Sequence, residues 1–190
     1  MFINMLIRKA KKNDSKEIAP LLLIAMEDIV YTFINEENRE KSLAFLEYFI
    51  AQKSNQYSYE NIWVLEMHGQ IAGAINVYDG GMLNELRRPI IQYLKEKYQN
   101  EISPEDETEA GEWYLDTLGV NPDFQGKGIG STLIKYVIEN ISSENNKAVG
   151  LLVDIDNPHA KRLYERLGFQ KLGDKLLVGK VLEHMQVRIG

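Results

Sequence analysis

Cysteine is absent from the 190-residue chain. Its absence excludes disulfides, thiolate metal sites and a cysteine nucleophile together. Histidine is nearly as scarce. His68, His159 and His184 stand apart without metal-ligand spacing, so no metal is expected. No apolar run approaches the roughly 20 residues that a membrane span requires, and no membrane partner is expected. The opening MFINMLIRKAKK carries its basic residues after a short apolar stretch, the reverse of a secretory signal, which makes a cytoplasmic protein the expectation. A basic surplus is missing as well. Lys and Arg number 22 against 28 Asp and Glu, a net charge of −6, which argues against a nucleic-acid partner and leaves room for a cationic one.

What is present fits one globular domain over residues 1–190: 44% hydrophobic and 26% charged residues, enough for a proper core. The chain opens with a short strand at MLIRKAK. Asn13, Asp14 and Ser15 are N-cap candidates for a helix in which Ile18, Leu21, Leu22, Ala25, Ile29 and Val30 recur at helical spacing. A second helix fits REKSLAFLEYFIAQ. NIWVLEM and IAGAINVY then read as a hairpin around His68-Gly69-Gln70. Residues 81–111 interrupt this rhythm and read as an insertion. NELRRPIIQYLKEKYQ is helical in character, with Pro89 expected to break it, kink it or occupy its first turn. The acidic stretch SPEDETEAGE, carrying Glu105, Asp106, Glu107, Glu109 and Glu112, reads as a solvated loop or as a patch that attracts a cation. A strand at EWYLDTLGV, a helix at GSTLIKYVIENI, a buried strand at AVGLLVDI and a short helix at PHAKRLYERLG follow. A strand from Phe169 and a closing strand at HMQVRIG complete a mixed α/β order, βααββ(α)βαβαββ.

The informative stretch is GVNPDFQGKGIGSTLIKYV, residues 119–137. A strand runs into a glycine-rich turn that opens a helix. Free amides of the first helical turn, the helix dipole and missing Cβ atoms together favour an anionic oxygen, and Lys127 adds a cation. The spacing discriminates among ligands. A Walker loop needs glycine five residues before Gly126 and Ser or Thr after Lys127, whereas Asn121 and Gly128 stand there. The dinucleotide fingerprint needs glycine at 131, which is Ser131. Both fail. Q-x-x-G-x-G is met by Gln125, Gly128 and Gly130.

With that motif, and with DNPHAKRLYERLGF downstream presenting Asn157, Ala160, Leu163, Tyr164, Gly168 and Phe169, the chain resembles the GCN5-related N-acetyltransferase (GNAT) superfamily. The resemblance is sharp over 112–170, loose over 1–79 and absent over 81–111. It implies a GNAT fold, a mixed central β-sheet of about seven strands flanked by helices, with acetyl-CoA in the splay between the two central strands. It implies an acetyl-CoA-dependent N-acetyltransferase acting on a primary amine, in a small molecule or peptide, by direct attack in a ternary complex. A non-catalytic acyl-CoA sensor on the same fold is the alternative. Homodimers are common in the family.

Carried over residue by residue, Leu118, Gly119 and Val120 would lie along the pantetheine and the thioester carbonyl. Gln125, Gly126, Lys127, Gly128, Ile129, Gly130 and Ser131 would hold the pyrophosphate. Asn157 would contact the CoA arm or cap its own helix. Tyr164 would protonate the departing thiolate, against a reading in which it packs in the apolar stripe with Ala160, Leu163 and Leu167. The family's central-strand glutamate falls, by an ungapped count, on Tyr114. Glu112 and Asp116 share the parity of Tyr114 on an unbroken strand and are the remaining candidates for the general base, beside a bland reading of each as a solvated carboxylate; the resemblance also implies a bulge in this strand, which would upset that parity.

Overall fold

A computed structural model describes residues 5–141, 148–177 and 179–188. The last two residues of the expected closing strand, and the first four of the chain, lie outside them. Among the described residues are seven strands and five α-helices, beginning with β1 (Met5–Lys9), α1 (Ser15–Ile34), α2 (Arg39–Ile50), β2 (Ile62–Met67), β3 (Gln70–Asp79) and α3 (Leu83–Tyr98). They continue with β4 (Glu112–Val120), α4 (Ile129–Asn140), β5 (Ala148–Asp154), α5 (Pro158–Arg166), β6 (Gln170–Leu177) and β7 (Lys180–Val187). The strands form one sheet in the order β1-β2-β3-β4-β5-β7-β6. Every pair is antiparallel except β4 and β5.

Alternation along each strand sorts the core onto two faces. Ile62, Val64 and Ala74 pack with α1, α2 and Ile90 and Leu94 of α3. Leu65, Ile75 and Val77 pack instead beneath α4, with Leu133, Ile134 and Val137. Strand β5 is covered on both sides, which explains its nearly unbroken apolar sequence. The β2–β3 hairpin turns on two residues, His68 and Gly69, both at positive φ (53° and 77°), the twist that a two-residue turn requires.

Two features depart from simple periodicity. Helix α3 continues through Pro89 without a break, giving up one backbone hydrogen bond while its buried residues Leu83, Ile90 and Leu94 keep packing. In β4 the register against β3 slips: Asn76 faces Thr117 while Val77 faces Leu115, so Asp116 is the extra residue of a bulge. The bulge places two successive side chains on the α1 side of the sheet, Asp116 against Asn76 and Tyr78, and Thr117 against Met26. Beyond it the parity is inverted. Leu118 and Val120 now turn toward α4, and Gly119 turns toward α1.

At Gly119 the backbone of α1 comes so close that a Cβ would lie 2.1 Å from the Leu21 carbonyl oxygen. A backbone atom cannot swing aside, so Gly119→Ala has to push α1 off the sheet. We expect a loss of about 3 kcal/mol of stability, read from urea unfolding as a lower midpoint at constant slope.

Candidate active site

Strands β4 and β5 pair over only three positions, Glu112–Ala148, Trp113–Val149 and Tyr114–Gly150. Past them β4 stays with β3 as far as Val120, and β5 stays with β7 as far as Asp154. The two central strands therefore part in a V, and the edge of β4 beyond Tyr114 has backbone groups with no neighbouring strand to bind them. A cavity of about 900 Å³ opens at this gap. Its walls include Asp116, Thr117 and Leu118 from β4, Asp154 from β5, Asn157 and Tyr164 from α5, and Glu107 from the segment after α3.

At the outer end of β4 the turn at residues 125–128 leads into α4. Gly126 and Gly128 adopt left-handed φ of 75° and 76°, with no atom within 4 Å of where a Cβ would stand. The first helical bond of α4 runs from the Thr132 amide to the Gly128 carbonyl at 3.0 Å. Among the described residues, the amides of residues 126–131 form no hydrogen bond outside that ladder. They form a cradle suited to a phosphate. Gly130 packs close to Leu118 and Val120, which ties the turn to the β4 side of the gap. Lys127 sits over the Phe124 ring, 4.7 Å from its centroid, and donates to the Asp123 carbonyl at 3.2 Å.

Asn157 caps α5: its Oδ1 accepts from the Ala160 amide at 3.1 Å, and Pro158 occupies the first helical position. It also lines the cavity. Tyr164, about two turns further along, packs edge-on against Phe169 at 5.8 Å and faces the same cavity. Burial pushes its phenol above the ordinary tyrosine range, so it stays protonated.

The two carboxylates of β4 have different surroundings. Glu112 is fully buried: Oε1 accepts from Thr108 Oγ1 at 2.6 Å, and Oε2 meets His184 Nε2 at 2.8 Å and Gln186 Nε2 at 2.6 Å. Burial alone would raise its pKa, but the hydrogen bonds from His184, Thr108 and Gln186 outweigh it and hold the group below the usual carboxylate range. Its carboxylate lies over Gly150, where a Cβ would come within 1.8 Å of Oε2. It does not line the cavity. Glu112 therefore serves as a tie between β4 and β7.

Asp116 does line the cavity. Its Oδ2 accepts from Thr117 Oγ1 at 2.7 Å and Asn76 Nδ2 at 3.2 Å, and its Oδ1 from Gln56 Nε2 at 3.0 Å and the Tyr78 hydroxyl at 3.3 Å. Burial nevertheless raises its pKa, against the lowering by those donors.

Beside it stands a residue that sequence reasoning missed. Glu107 Oε1 accepts from Gln56 Nε2 at 2.7 Å, the Tyr78 hydroxyl at 3.1 Å and Arg87 Nη2 at 3.2 Å. Burial first, and the neighbouring Asp116 charge second, push it up to about 7. Arg87, itself buried, also donates to the carbonyls of Pro104 and Glu105 and to Asp106, and so pins the whole loop against the sheet. Within the run of five acidic residues nothing local marks Glu107. Its position depends on Arg87, roughly 20 residues earlier on another element.

A seven-stranded mixed sheet with helices on both faces, parted between β4 and β5, is the fold of acetyltransferases. The acetyltransferase (GNAT) family model matches residues 27–169, and the chain belongs to that family. A solved acetyltransferase is 33% identical with a TM-score of 0.82, over 97% of this chain and all of that one. A GNAT acetyltransferase from Brucella melitensis, solved in complex with acetyl-CoA, shares the fold at 22% identity and a TM-score of 0.54, over 98% of this chain and 89% of that one. The spermine/spermidine N(1)-acetyltransferase of Bacillus subtilis is 32% identical over 71 residues, 37% of this chain and 47% of that protein. The first curated relatives are matched over 31% and 21% of their own length.

Proposed function

We propose that the chain is an acetyl-CoA-dependent N-acetyltransferase that acetylates a primary amine by direct attack within a ternary complex. The observation that carries this reading is one cavity, at the point where β4 and β5 part, lined by a protonated tyrosine and by the carboxylate of Asp116. The amides of residues 126–131 take the diphosphate. The free edge of β4 at Leu118 aligns the pantetheine and polarises the thioester carbonyl, so that most of the rate comes from orientation and main-chain hydrogen bonding. Tyr164 gives its proton to the sulfur as it leaves. With no cysteine in the chain, an acyl-enzyme on sulfur is excluded.

The acceptor is cationic on this reading. Glu27, Asp28, Glu107, Asp116 and Asp154 line the cavity, against Arg87 and Lys180. Arg87 is already engaged by Glu107 and Asp106, and Lys180 lies 4.0 Å from Asp154. A field of that sign draws an ammonium group in. Release of CoA thiol from acetyl-CoA is the test, run against alkylamines, polyamines, arylamines and peptide N-termini. Turnover is expected with one or more alkylamines. Tight acetyl-CoA binding without turnover on any amine would contradict the proposal.

A further inference from the structure

We propose that Glu107, delivered by the segment inserted between β3 and β4, is the general base that deprotonates the acceptor ammonium; this rests on the acetyltransferase reading above. The geometry carries it. Glu107 lines the cavity together with Asp116. Its three hydrogen bonds all end on Oε1, so none of them occupies Oε2. Gln56 Nε2 and the Tyr78 hydroxyl each lie within reach of both Glu107 Oε1 and Asp116 Oδ1. Gln56 Nε2 brings two protons and Tyr78 one, and Gln56 also approaches the Tyr78 oxygen at 3.1 Å. Those three protons cannot serve all five contacts at once, and one further proton shared by the two carboxylates supplies the missing donor.

The titratable groups facing Glu107 are Asp116 and Tyr114 on β4, Tyr78 on β3, Tyr57 ahead of β2 and Arg87 on α3, with Glu27 and Asp28 of α1 lining the same cavity. Burial drives all three tyrosines well above their ordinary value, so they stay neutral. The local charge balance then sets Glu107, Asp116 and the exposed Asp106 against the single cation Arg87. Tyr114 stands where the family's strand glutamate falls by the ungapped count, and the carboxylate comes instead from a loop held by Arg87.

The proton balance closes. Glu107 takes one proton from the ammonium, and the amine nitrogen bonds to the thioester carbon. The carbon–sulfur bond then breaks with its electron pair on sulfur, which receives the Tyr164 proton. The nitrogen's second surplus proton leaves as the amide forms and restores the phenol through solvent. One proton is released overall once Glu107 returns its own.

The experiment compares wild type with Glu107→Gln on an alkylamine that wild type turns over. Wild-type kcat/KM is expected to rise with pH through about 7 and then level, well below the amine's own pKa of ~10. In Glu107→Gln the rise near 7 disappears and kcat/KM falls about 10²-fold or more, with acetyl-CoA affinity unchanged. An arylamine that is already neutral is expected to recover most of the loss. A wild-type rate climbing without a plateau toward the amine pKa would overturn the assignment even if the variant failed to fold. So would a folded Glu107→Gln that keeps wild-type kcat/KM, or an equal loss on both amines. Failure of wild type to acetylate any amine would instead overturn the underlying reading.

Discussion

Replacing Tyr164 with phenylalanine is expected to lower kcat about 10²-fold or more while leaving acetyl-CoA affinity and stability unchanged. The ring contact with Phe169 survives the substitution. Among the described residues no side chain is bonded to the Tyr164 hydroxyl, so its removal strands no buried partner. Only the proton is lost. Burial raises the phenol pKa, and a thiolate released beside it would be disfavoured by the same burial, so donor and leaving group shift in the same direction. Because the folded phenol titrates above its ordinary value near 10, it stays protonated throughout the physiological range and contributes no pH-dependence of stability there. Steady-state kinetics paired with calorimetry of acetyl-CoA binding separates the two effects. Unchanged kcat would favour a non-catalytic coenzyme sensor on the same fold.

The second large effect is expected at Gly128. A valine there meets no steric obstacle, since nothing lies within 4 Å of the Cβ position; what it opposes is the left-handed φ of 76°. A β-branched residue held in that region costs of order 1–3 kcal/mol. The exposed turn is free to relax out of it when empty, and the coenzyme then has to restore the cradle at that cost. At 1.4 kcal/mol per factor of ten, acetyl-CoA affinity should fall by about 5- to 150-fold. Gly128→Ala should show a smaller loss, and kcat at saturation should hold in both. Unchanged affinity for acetyl-CoA in Gly128→Val would remove the diphosphate from this turn.

The order of strands and helices was legible because each element carries its own pattern: apolar runs in β2, β3 and β5, the first two around a glycine turn, and spaced apolar residues in α1 and α4. The glycine turn was legible for a different reason. Positive φ at two nearby positions demands glycine, so the conformation is written into residue identity. What could not be read depended on contacts distant in sequence. The resemblance implied a bulge in β4, but its place at Asp116 follows from how β3 and β4 settle against each other, and it inverts the parity of every later residue in β4. Glu112, chosen by parity, does lie on the same face as Tyr114, but Thr108, His184 and Gln186 surround it. Glu107 is one of five acidic residues in a stretch with no period at all. Only the docking of α3, which runs unbroken through a proline expected to break it, kink it or sit in its first turn, brings Arg87 to the loop and Glu107 to Asp116.

The most direct test of this account is a crystal structure of the chain grown with acetyl-CoA. The account predicts diphosphate oxygens within about 3 Å of the amides of residues 126–131, the pantetheine along β4 at Leu118, and the thioester sulfur within reach of the Tyr164 hydroxyl. A coenzyme bound elsewhere, or a turn that leaves its amides facing water while the protein is saturated, would contradict it.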